Sequence, residues 1–452
     1  MQSHQSTSFQ THQKEHFSRL FPELEPLILS DRELWYFAER MMDWGGMENP
    51  DSTTITNGVS IFSQFLAHDI TFDANSKLRS SNRVGTIAND RTINLDLDCL
   101  YGQKTQDFYY DAEDTDKLLL GEKCTDGTHT WYDLQRNKQC KAIIPDSRND
   151  ENIIVSRMQV LFIEFHNCMV DYLRANDCPP DVFKEAKRQV IWHYHWLIIH
   201  EYLRGMLDPS IYNQLLREDT QFYTQPSTLP LEFTGAAFRV GHSQTQDVNR
   251  ISDTTEKKLF DLGFFTVMEE YVDWRYIFDF GDGRVQYARR IDTQIGRSFH
   301  NIPFIKSKDK KEKSLPFRNL RRGVSYGLPS GEAVAMRLGF DPLEVPLTQK
   351  LRLAGTPLWY YILFEAECLG NQGEHLGPVG STILGECFLT IMKNDDESYL
   401  KRYPRWRPTL GRSEHQFDFV DLVKFVENNA YGAPKKKKKT TPASKRRTRR
   451  RK

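Results

Sequence analysis

Residues 61–70, IFSQFLAHDI, place three polar side chains at fixed offsets inside an apolar run of helical character. Gln64 and His68 are four residues apart, so on a helix both side chains lie on one face, one turn apart. Asp69 is rotated by about 100° and faces elsewhere. Such a helix can serve two sites: Gln64 and His68 suit proton transfer or the holding of a water, and Asp69 suits a cation. The alternative is that His68 is a hydrogen-bonded core residue.

A segment near the end of the chain differs from the rest in charge. Residues 434–452 hold twelve Lys or Arg and no acidic residue, whereas the whole chain has 61 basic and 61 acidic residues. The remainder therefore has 49 basic against 61 acidic residues, a net charge of −12. We predict a disordered polybasic tail over 434–452. It is either a solvated extension or a contact for nucleic acid or another polyanion, and such runs also serve nuclear import.

Length and composition indicate a globular protein with a large core, since 39% of its 452 residues are hydrophobic and 12% are aromatic. Apolar residues recur at helical spacing in several long segments, and strand patterns are few and short. We therefore expect a mainly α fold, with a flexible leader over 1–15, one large helical domain over 16–433 and the tail. The predicted helices include 151–173, 183–207, 331–338, 377–392 and 417–428.

Cysteine usage and apolar runs bear on the compartment. Seven scattered cysteines without a C-x-x-C pair do not resemble a disulfide framework or a zinc site, although one bridge stays open. Residues 1–14 lack the apolar core of a secretory signal, and no run approaches the ~18 apolar residues of a membrane span. The compartment is not specified; intracellular residence is the default expectation, and nuclear targeting by the tail is an alternative.

Residues 92–102 alternate polar and apolar side chains. In extended backbone four oxygen-bearing side chains would share one side of the chain. They are Thr92, Asn94, Asp96 and Asp98. Oxygen ligands at every second position suit Ca²⁺ better than a transition metal, because no His or Cys lies on that side. An ordinary half-exposed strand would show the same alternation.

Three histidines in the predicted helix 183–207 invite a metal interpretation that helix geometry excludes. His193 and His195 would lie about 200° apart, and His200 would lie two turns, ~10 Å, from His193. We therefore expect all three to be structural.

Five segments, in their order and spacing, resemble the animal-type haem peroxidase superfamily, the group of myeloperoxidase, lactoperoxidase and peroxinectin together with bacterial relatives. The segments are 64–69, 92–102, 146–151, 238–242 and 319–329. The resemblance extends over residues 15–430. It implies the helical haem peroxidase fold, haem b and Ca²⁺ as cofactors, and H₂O₂ as a substrate.

On the distal side of the haem, the resemblance implies three catalytic residues. They are His68 as the distal histidine, Gln64 as its partner in the pocket and Arg148 as the catalytic arginine. An imidazole can take a proton from H₂O₂ and return it to the leaving oxygen, while a fixed cation stabilises the charge that develops as the O–O bond breaks.

On the proximal side, the resemblance makes His242 the axial ligand of the haem iron and Asn319 the residue that orients it. An amide oxygen that accepts the second ring N–H would fix the tautomer and raise the basicity of the ligand. The resemblance also places Arg322 near a haem propionate. Arg239, three residues before His242, is a further candidate for cofactor binding.

The resemblance also assigns the calcium ligands. They are Asp69, Thr92, Asn94 through its backbone carbonyl, Asp96 and Asp98. An ion bound between Asp69 and the loop 92–98 would set the rotation of the helix that carries His68.

Two departures from the family pattern bear on covalent attachment of haem. Ala67 stands where the mammalian peroxidases have an ester-forming aspartate, and Asn152 after Glu151 speaks against a sulfonium link. Glu151 can still form the other ester, so the expected cofactor is haem b, free or held by this one ester.

The leading functional hypothesis is a peroxidase that reduces H₂O₂ and oxidises small organic donors, halide or thiocyanate, a chemistry tied to the response to oxidative stress. The runner-up, a fatty-acid dioxygenase of the cyclooxygenase-like branch, would need a tyrosine where this chain has Arg239. A third hypothesis is a non-catalytic haem scaffold whose basic tail binds nucleic acid.

Overall fold

The computed structural model describes residues 15–43, 50–73, 78, 87–102, 110–224, 226–263 and 267–430. The expected leader, apart from residue 15, and the expected tail at 434–452 lie outside these ranges. Residue 15 is the first residue of a short strand.

Helices make up most of the regular structure, which confirms the expected mainly α fold. In chain order they are α1 (Asp31–Arg40), α2 (Asn57–Ile70), α3 (Asp98–Tyr101), α4 (Ile153–Asn176), α5 (Val182–Leu197), α6 (Arg204–Met206), α7 (Pro209–Arg217), α8 (Leu231–Gly235), α9 (Gly241–Gln244), α10 (Trp274–Ile277), α11 (Lys310–Lys313), α12 (Leu315–Ser325), α13 (Gly331–Leu338), α14 (Pro346–Leu351), α15 (Leu358–Leu369), α16 (Pro378–Asn394), α17 (Tyr399–Arg402) and α18 (Phe419–Ala430). A π-helical turn, Ile198–Leu203, joins α5 to α6, and 3₁₀ turns occur at Ser147–Asp150, Ala237–Arg239, Leu259–Asp261 and Arg297–His300.

The strands are short and form antiparallel pairs. They are β1 (Glu15–His16), β2 (Asp51–Thr56), β3 (Ala88–Asn89), β4 (Lys123–Thr125), β5 (Thr130–Tyr132), β6 (Val248–Arg250), β7 (Glu256–Lys258) and β8 (Tyr287–Arg289). The pairs are β1 with β3, β2 with β8, β4 with β5, and β6 with β7. These ribbons connect helices rather than forming a layer of their own.

Helix α2 lies at the centre of the core. The side chain of Thr56 caps its first turn by accepting the N–H of Val59. Phe65 stacks on Phe162 of α4 with ring centroids 5.1 Å apart, and Phe62 packs edge-on against Phe419 of α18 at 4.7 Å. Because large apolar side chains hold α2 in one rotational setting, its polar residues are presented in fixed directions.

Two segments depart from regular secondary structure. Residues 92–98 are not an extended strand: Leu95 and Leu97 have φ of 55° and 57°, so the loop turns back twice before α3. The run 233–243, whose pattern is compatible with a helix, is broken into α8, a 3₁₀ turn and α9, and Ala236 adopts a non-helical conformation between the first two.

Two further observations concern α4 and the cysteines. Helix α4 has the length and apolar composition of a membrane-crossing helix, but 89% of its most apolar stretch is buried inside the protein, as is common for a core helix. All seven cysteines are free thiols, so the bridge left open by the sequence is not formed.

Candidate haem site

A chain of three side chains fixes the tautomer of His68. Gln159 donates through Nε2 to the carbonyl of Cys99 (3.2 Å), so its Oε1 accepts Nδ2 of Asn149 at 2.7 Å. Asn149 thereby turns its Oδ1 towards Nδ1 of His68, 2.7 Å away. Because an amide oxygen cannot donate, Nδ1 carries the proton and Nε2 keeps its lone pair. The network therefore makes Nε2 of His68 a proton acceptor.

The imidazole of His68 is neutral at physiological pH. Burial, followed by the charge of Arg148, lowers the pKa of His68 to about 4. A buried neutral histidine with one hydrogen bond also fits an ordinary core position. The guanidinium beside it and the amide chain behind it distinguish this position from an ordinary one.

Arg148 is bound directly to the helix that carries His68. Its Nη2 donates to the carbonyl of His68 (3.1 Å) and to the carbonyl of Thr71 (2.8 Å), and the guanidinium lies 4.6 Å over the ring of Phe72. The buried carboxylate of Asp146 accepts from Nε and Nη2. Arg148 keeps 28% of its side chain exposed, so a fixed cation remains accessible beside His68.

The other distal residues sit at the junction between α2 and the start of α4. Gln64 donates through Nε2 to Oε2 of Glu151 at 2.9 Å. Burial raises the pKa of Glu151, opposed by Arg148 and by the bond from Gln64. Asn152 caps α4 by accepting the N–H groups of Ile154 and Val155, which fixes where the 3₁₀ turn with Arg148 and Asn149 ends.

On the proximal side, the structure pairs His242 with Asn319 of α12. Nδ1 of His242 lies 2.8 Å from Nδ2 of Asn319, so in this arrangement the amide donates to the ring. The amide-oxygen partner expected from the sequence requires a 180° rotation of the Asn319 amide about its last torsion. Burial and then the charge of Arg239 lower the pKa of His242 to about 3, so its imidazole is neutral.

A close contact brings the proximal helix α9 to α2. A Cβ at Gly241 would lie 2.9 Å from Oγ of Ser63, so the glycine permits an approach that a larger residue would obstruct. Ser63 precedes Gln64 in α2, and Gly241 precedes His242. The two candidate histidines are therefore carried by helices that touch each other.

A second group of cations lies beside the proximal pair. Burial and the neighbouring charge of Arg322 lower the pKa of Arg239. Nε of Arg239 is buried and has no hydrogen-bond partner within the part of the chain that the structure describes. Tyr326 donates its hydroxyl to Oδ2 of Asp73 at 2.6 Å, and Arg322 lies 3.4 Å from the same oxygen. Two guanidinium groups near one carboxylate make this region receptive to further anions.

Residues 71–73, directly after α2, contact both groups of cations. Thr71 and Phe72 bind Arg148, while Asp73 binds Arg322 and Tyr326. One short connector therefore links the distal and proximal residues.

Three acidic residues of the expected calcium site approach one another. Burial raises the pKa of Asp69 well above its usual value, and the charges of Asp98 and then Asp96 raise it further. Asp69 also accepts the hydroxyl of Tyr194 at 2.9 Å. Thr92 is nearby, since its Oγ1 donates to Asp96 (2.7 Å) and its N–H donates to Asp98 (3.0 Å).

The acidic side chains alone do not complete a calcium site among the described residues. Within the described part of the chain, no group of three or more His, Cys, Asp or Glu is placed to hold a metal ion. The residue Asn94 is exposed. Arg91 lies 3.7 Å from Asp98 and partly balances the carboxylates.

The histidines of α5 lie apart from these groups. Nδ1 of His193 lies 2.7 Å from the carbonyl of Gln189, and Nε2 of His195 lies 3.0 Å from the carbonyl of Leu95. His166 of α4 forms a hydrogen bond with the hydroxyl of Tyr101 at 3.0 Å, next to the acidic loop. Each of these three imidazoles thus has a structural partner.

The sequence interpretation missed the residues that support the site. Asn149 lies inside the segment 146–151 but was given no role, and Gln159 is one of many polar residues in a long helix. An asparagine beside a candidate catalytic arginine was the available signal for Asn149. Nothing in the sequence pointed to Asp73, because its partners are about 250 residues away.

Comparison with known proteins gives the class of this fold. Over 92% of this chain and 94% of the other, the structure resembles peroxidase A from Dictyostelium discoideum, with a TM-score of 0.64 and 15% identity. It also resembles the fatty acid alpha-dioxygenase of Arabidopsis thaliana, with a TM-score of 0.59 and 13% identity over 92% of this chain and 76% of that one. The fold is thus one shared by peroxidases and dioxygenases.

Sequence comparison narrows the assignment. Residues 79–270 match the family described as animal haem peroxidase. Peroxidase mlt-7 of Caenorhabditis elegans is 23% identical over 251 residues, which are 54% of this chain and 34% of the relative, so the chain spans about a third of that protein. The resemblance seen in the motifs is confirmed over residues 79–270, the part of the chain that matches the animal haem peroxidase family.

Proposed function

We propose that the chain is a haem peroxidase that reduces H₂O₂ and oxidises small organic donors, halide or thiocyanate. The observation that carries the proposal is the amide chain behind His68, which leaves Nε2 unprotonated beside an accessible Arg148. A structural histidine needs no defined acceptor nitrogen, whereas a base for peroxide does. Removal of peroxide would give the protein a part in the response to oxidative stress.

The cations near His242 support haem as the cofactor. Haem b carries two propionates, and the buried Nε of Arg239, which has no hydrogen-bond partner among the described residues, offers them a donor beside Arg322. His242 has the neutral imidazole that an axial iron ligand needs. Asn319 would hold its orientation once its amide is rotated by 180°, so that Oδ1 accepts the N–H of Nδ1 and Nε2 keeps its lone pair for iron. When bound, haem would supply the oxidising chemistry.

The protein groups have separable tasks. His68 would accept a proton from H₂O₂ at Nε2 and return it to the departing oxygen, while Nδ1 stays bonded to Asn149. Arg148, held by Asp146, would stabilise the negative charge that develops on the peroxide oxygens. Gln64 would position substrate or water, and its bond to Glu151 would hold it over the pocket.

Two further assignments belong to the same proposal. Glu151 is the candidate for a single ester to haem, which retention of haem after acid–acetone extraction, and its loss in Glu151→Gln, would test. Ca²⁺ would bind Asp69, Asp96 and Asp98 with Thr92 and the carbonyl of Asn94, because clustered buried carboxylates favour a hard cation.

The test is a pair of alanine variants in the haem-supplied protein. His242→Ala should lose most bound haem, while His68→Ala should keep its haem spectrum but react with H₂O₂ about 10²- to 10⁴-fold more slowly, the usual contribution of a general base. Rapid-mixing absorption spectroscopy measures both. His415→Ala, at an exposed histidine, is the control.

Two results would contradict the proposal. One is a rate of reaction with H₂O₂ that is the same in His68→Ala as in the parent protein. The other is oxygen uptake with a polyunsaturated fatty acid in the absence of peroxide, which would favour the dioxygenase alternative despite Arg239. A chain that binds haem but reacts neither with H₂O₂ nor with a fatty acid would instead support the third hypothesis, a non-catalytic haem scaffold with a basic tail.

A further inference from the structure

An aromatic and cationic stripe runs along the helix formed by α5, the π-helical turn and α6. Its members recur every four residues, so successive side chains lie one above another. They are Arg188, Trp192, Trp196, His200 and Arg204. The guanidinium of Arg188 lies 4.7 Å over the ring of Trp192, and the rings of Trp196 and His200 are 3.8 Å apart.

The segment 402–407 begins at the last residue of α17. It packs against this stripe and forms a groove with it. The ring of Trp192 lies 5.4 Å from the rings of both Tyr403 and Trp406. The cavity between Trp192 and residues 402–406 has a volume of about 700 Å³. This volume falls in the range of sites that take small organic groups.

The groove carries positive charge that its surroundings do not neutralise. Arg188 pairs with Glu185, and Arg402 pairs with Glu397. Arg405 has no carboxylate partner among the described residues and is exposed on the rim.

The end of the stripe next to the groove, at Trp196 and His200, also carries an excess of positive charge. Among the described residues, Arg407 donates only to the carbonyls of Pro404 and Trp406, and its guanidinium lies 5.8 Å over the ring of Trp196. The charges of Arg407 and Arg204, after burial, help to lower the pKa of His200 to about 4. The acidic body of the protein thus carries a local patch that attracts anions.

We propose that this groove binds single-stranded nucleic acid, with Arg405 and Arg407 on phosphates and Tyr403 stacked on an unpaired base. Tyr403 is 50% exposed, and the contact with Trp192 holds its ring at the mouth of the cavity. Aromatic faces interleaved with cations are the usual means of binding single strands, because every base has a π-face. A duplex keeps its bases stacked inside and would leave the face of Tyr403 unused.

The test measures binding of a fluorescein-labelled oligothymidine of eight nucleotides to the full-length protein by anisotropy. Tyr403→Ala should weaken binding about tenfold and Tyr403→Phe should retain it, since the ring and not the hydroxyl stacks. Arg405→Ala should weaken binding and lower the salt slope by about one. The matched controls are Tyr172→Ala and Arg284→Ala, which remove exposed residues of the same types elsewhere.

The tail 434–452 is a second polycation, so the test must separate its contribution. An oligonucleotide with 5-iodouracil, crosslinked by light and mapped by mass spectrometry, should label the peptide that contains Tyr403. Labelling of the tail alone, or binding unchanged in both Tyr403→Ala and Arg405→Ala, would overturn the proposal. It would also be overturned if an abasic strand or a sulfated polysaccharide bound as tightly and showed the same loss in Tyr403→Ala, since the groove would then be a general polyanion surface.

Discussion

At the scale of single residues, the least expected result is that a main-chain carbonyl determines which nitrogen of His68 carries a proton. The carbonyl of Cys99 cannot change its role, and its constraint passes through Gln159 and Asn149 to the imidazole. Two amides placed in a row thus do what a carboxylate does behind many catalytic histidines, without adding a negative charge.

Replacement of Asn149 tests this arrangement. Asn149→Leu removes the acceptor of Nδ1, so His68 can place its proton on Nε2, and the rate of reaction with H₂O₂ should fall about 10- to 100-fold. Haem retention should stay unchanged because the proximal pair is intact. Gln159→Leu, which keeps the bond to His68 but frees the Asn149 amide to rotate, should give an intermediate rate. Equal rates in all three proteins would contradict the tautomer argument.

Some residues of the candidate site could be proposed from the sequence, and others could not. His68, Arg148 and His242 could be proposed from the sequence because each sits in a short motif with a defined chemical task, and their roles stay predictions. Their partners were not, because a hydrogen bond between residues about 80 or 250 positions apart leaves no local pattern. The reversed amide of Asn319 shows the same limit, since a sequence fixes the residue type and not the torsion.

At the scale of elements, the loop before α3 illustrates why alternation misled the prediction. Alternate polar residues indicate a strand only when the backbone is extended, and here Leu95 and Leu97 are left-handed and fully buried. Burial of these two leucines outweighs the strain of positive φ. The carboxylates of Asp96 and Asp98 are thereby turned towards Asp69.

Removal of calcium tests the assignment of this loop. Treatment with EGTA should lower Tm by several degrees and slow the reaction with H₂O₂, because repulsion among Asp69, Asp96 and Asp98 would loosen the end of α2 next to His68. Added Ca²⁺ should restore both. Scanning calorimetry and rapid mixing measure the two effects. Asp98→Asn should abolish the response to EGTA, and a parent protein indifferent to EGTA would refute the site.

The π-helical turn between α5 and α6 gives a prediction about pH. Glu201 in this turn accepts the N–H of Phe419 at 2.9 Å, and burial raises the pKa of Glu201 to about 8. The folded state therefore holds a proton that the unfolded chain releases near its ordinary pKa. Stability from this group is present at low pH and is lost as pH rises towards 8, by up to about 1.4 kcal/mol per pH unit.

The variant Glu201→Gln isolates this contribution. A glutamine resembles the protonated carboxyl but does not titrate, so the variant and the parent should have similar free energies of unfolding near pH 5. The variant should become the more stable of the two above pH 7. Denaturant titrations at several pH values give the difference, and a constant difference would exclude titration of Glu201.

At the scale of the whole molecule, the mainly α architecture was predictable from apolar periodicity, and α13 begins and ends where the pattern placed it. The long helices α4, α16 and α18 agree with their predicted ranges to within two or three residues. The break at α8 and α9 was not predictable, because it serves the close contact of Gly241 with Ser63, which is a property of the packed molecule.

A buried ion pair ties the beginning of the described chain to its middle. Arg19 lies 2.7 Å from Glu232, whose carboxylate also accepts the N–H groups of Leu20 and Phe21. Glu232→Ala would leave Arg19 without its partner and should lower the free energy of unfolding by about 3–5 kcal/mol, as measured by denaturant titration. Glu23→Ala, which removes an exposed partner of Arg337, should change it by less than about 1 kcal/mol.

The connector at residues 71–73 has a consequence for how this scaffold tolerates change. Three consecutive positions reach Arg148 at one end and Arg322 at the other, so their number acts as a spacer between the two groups of cations. Lengthening the spacer by one residue would shift Asp73 by roughly 3.3 Å relative to Thr71. Insertions at this point should therefore be among the least tolerated in the chain, even though none of the three side chains would take part in the chemistry.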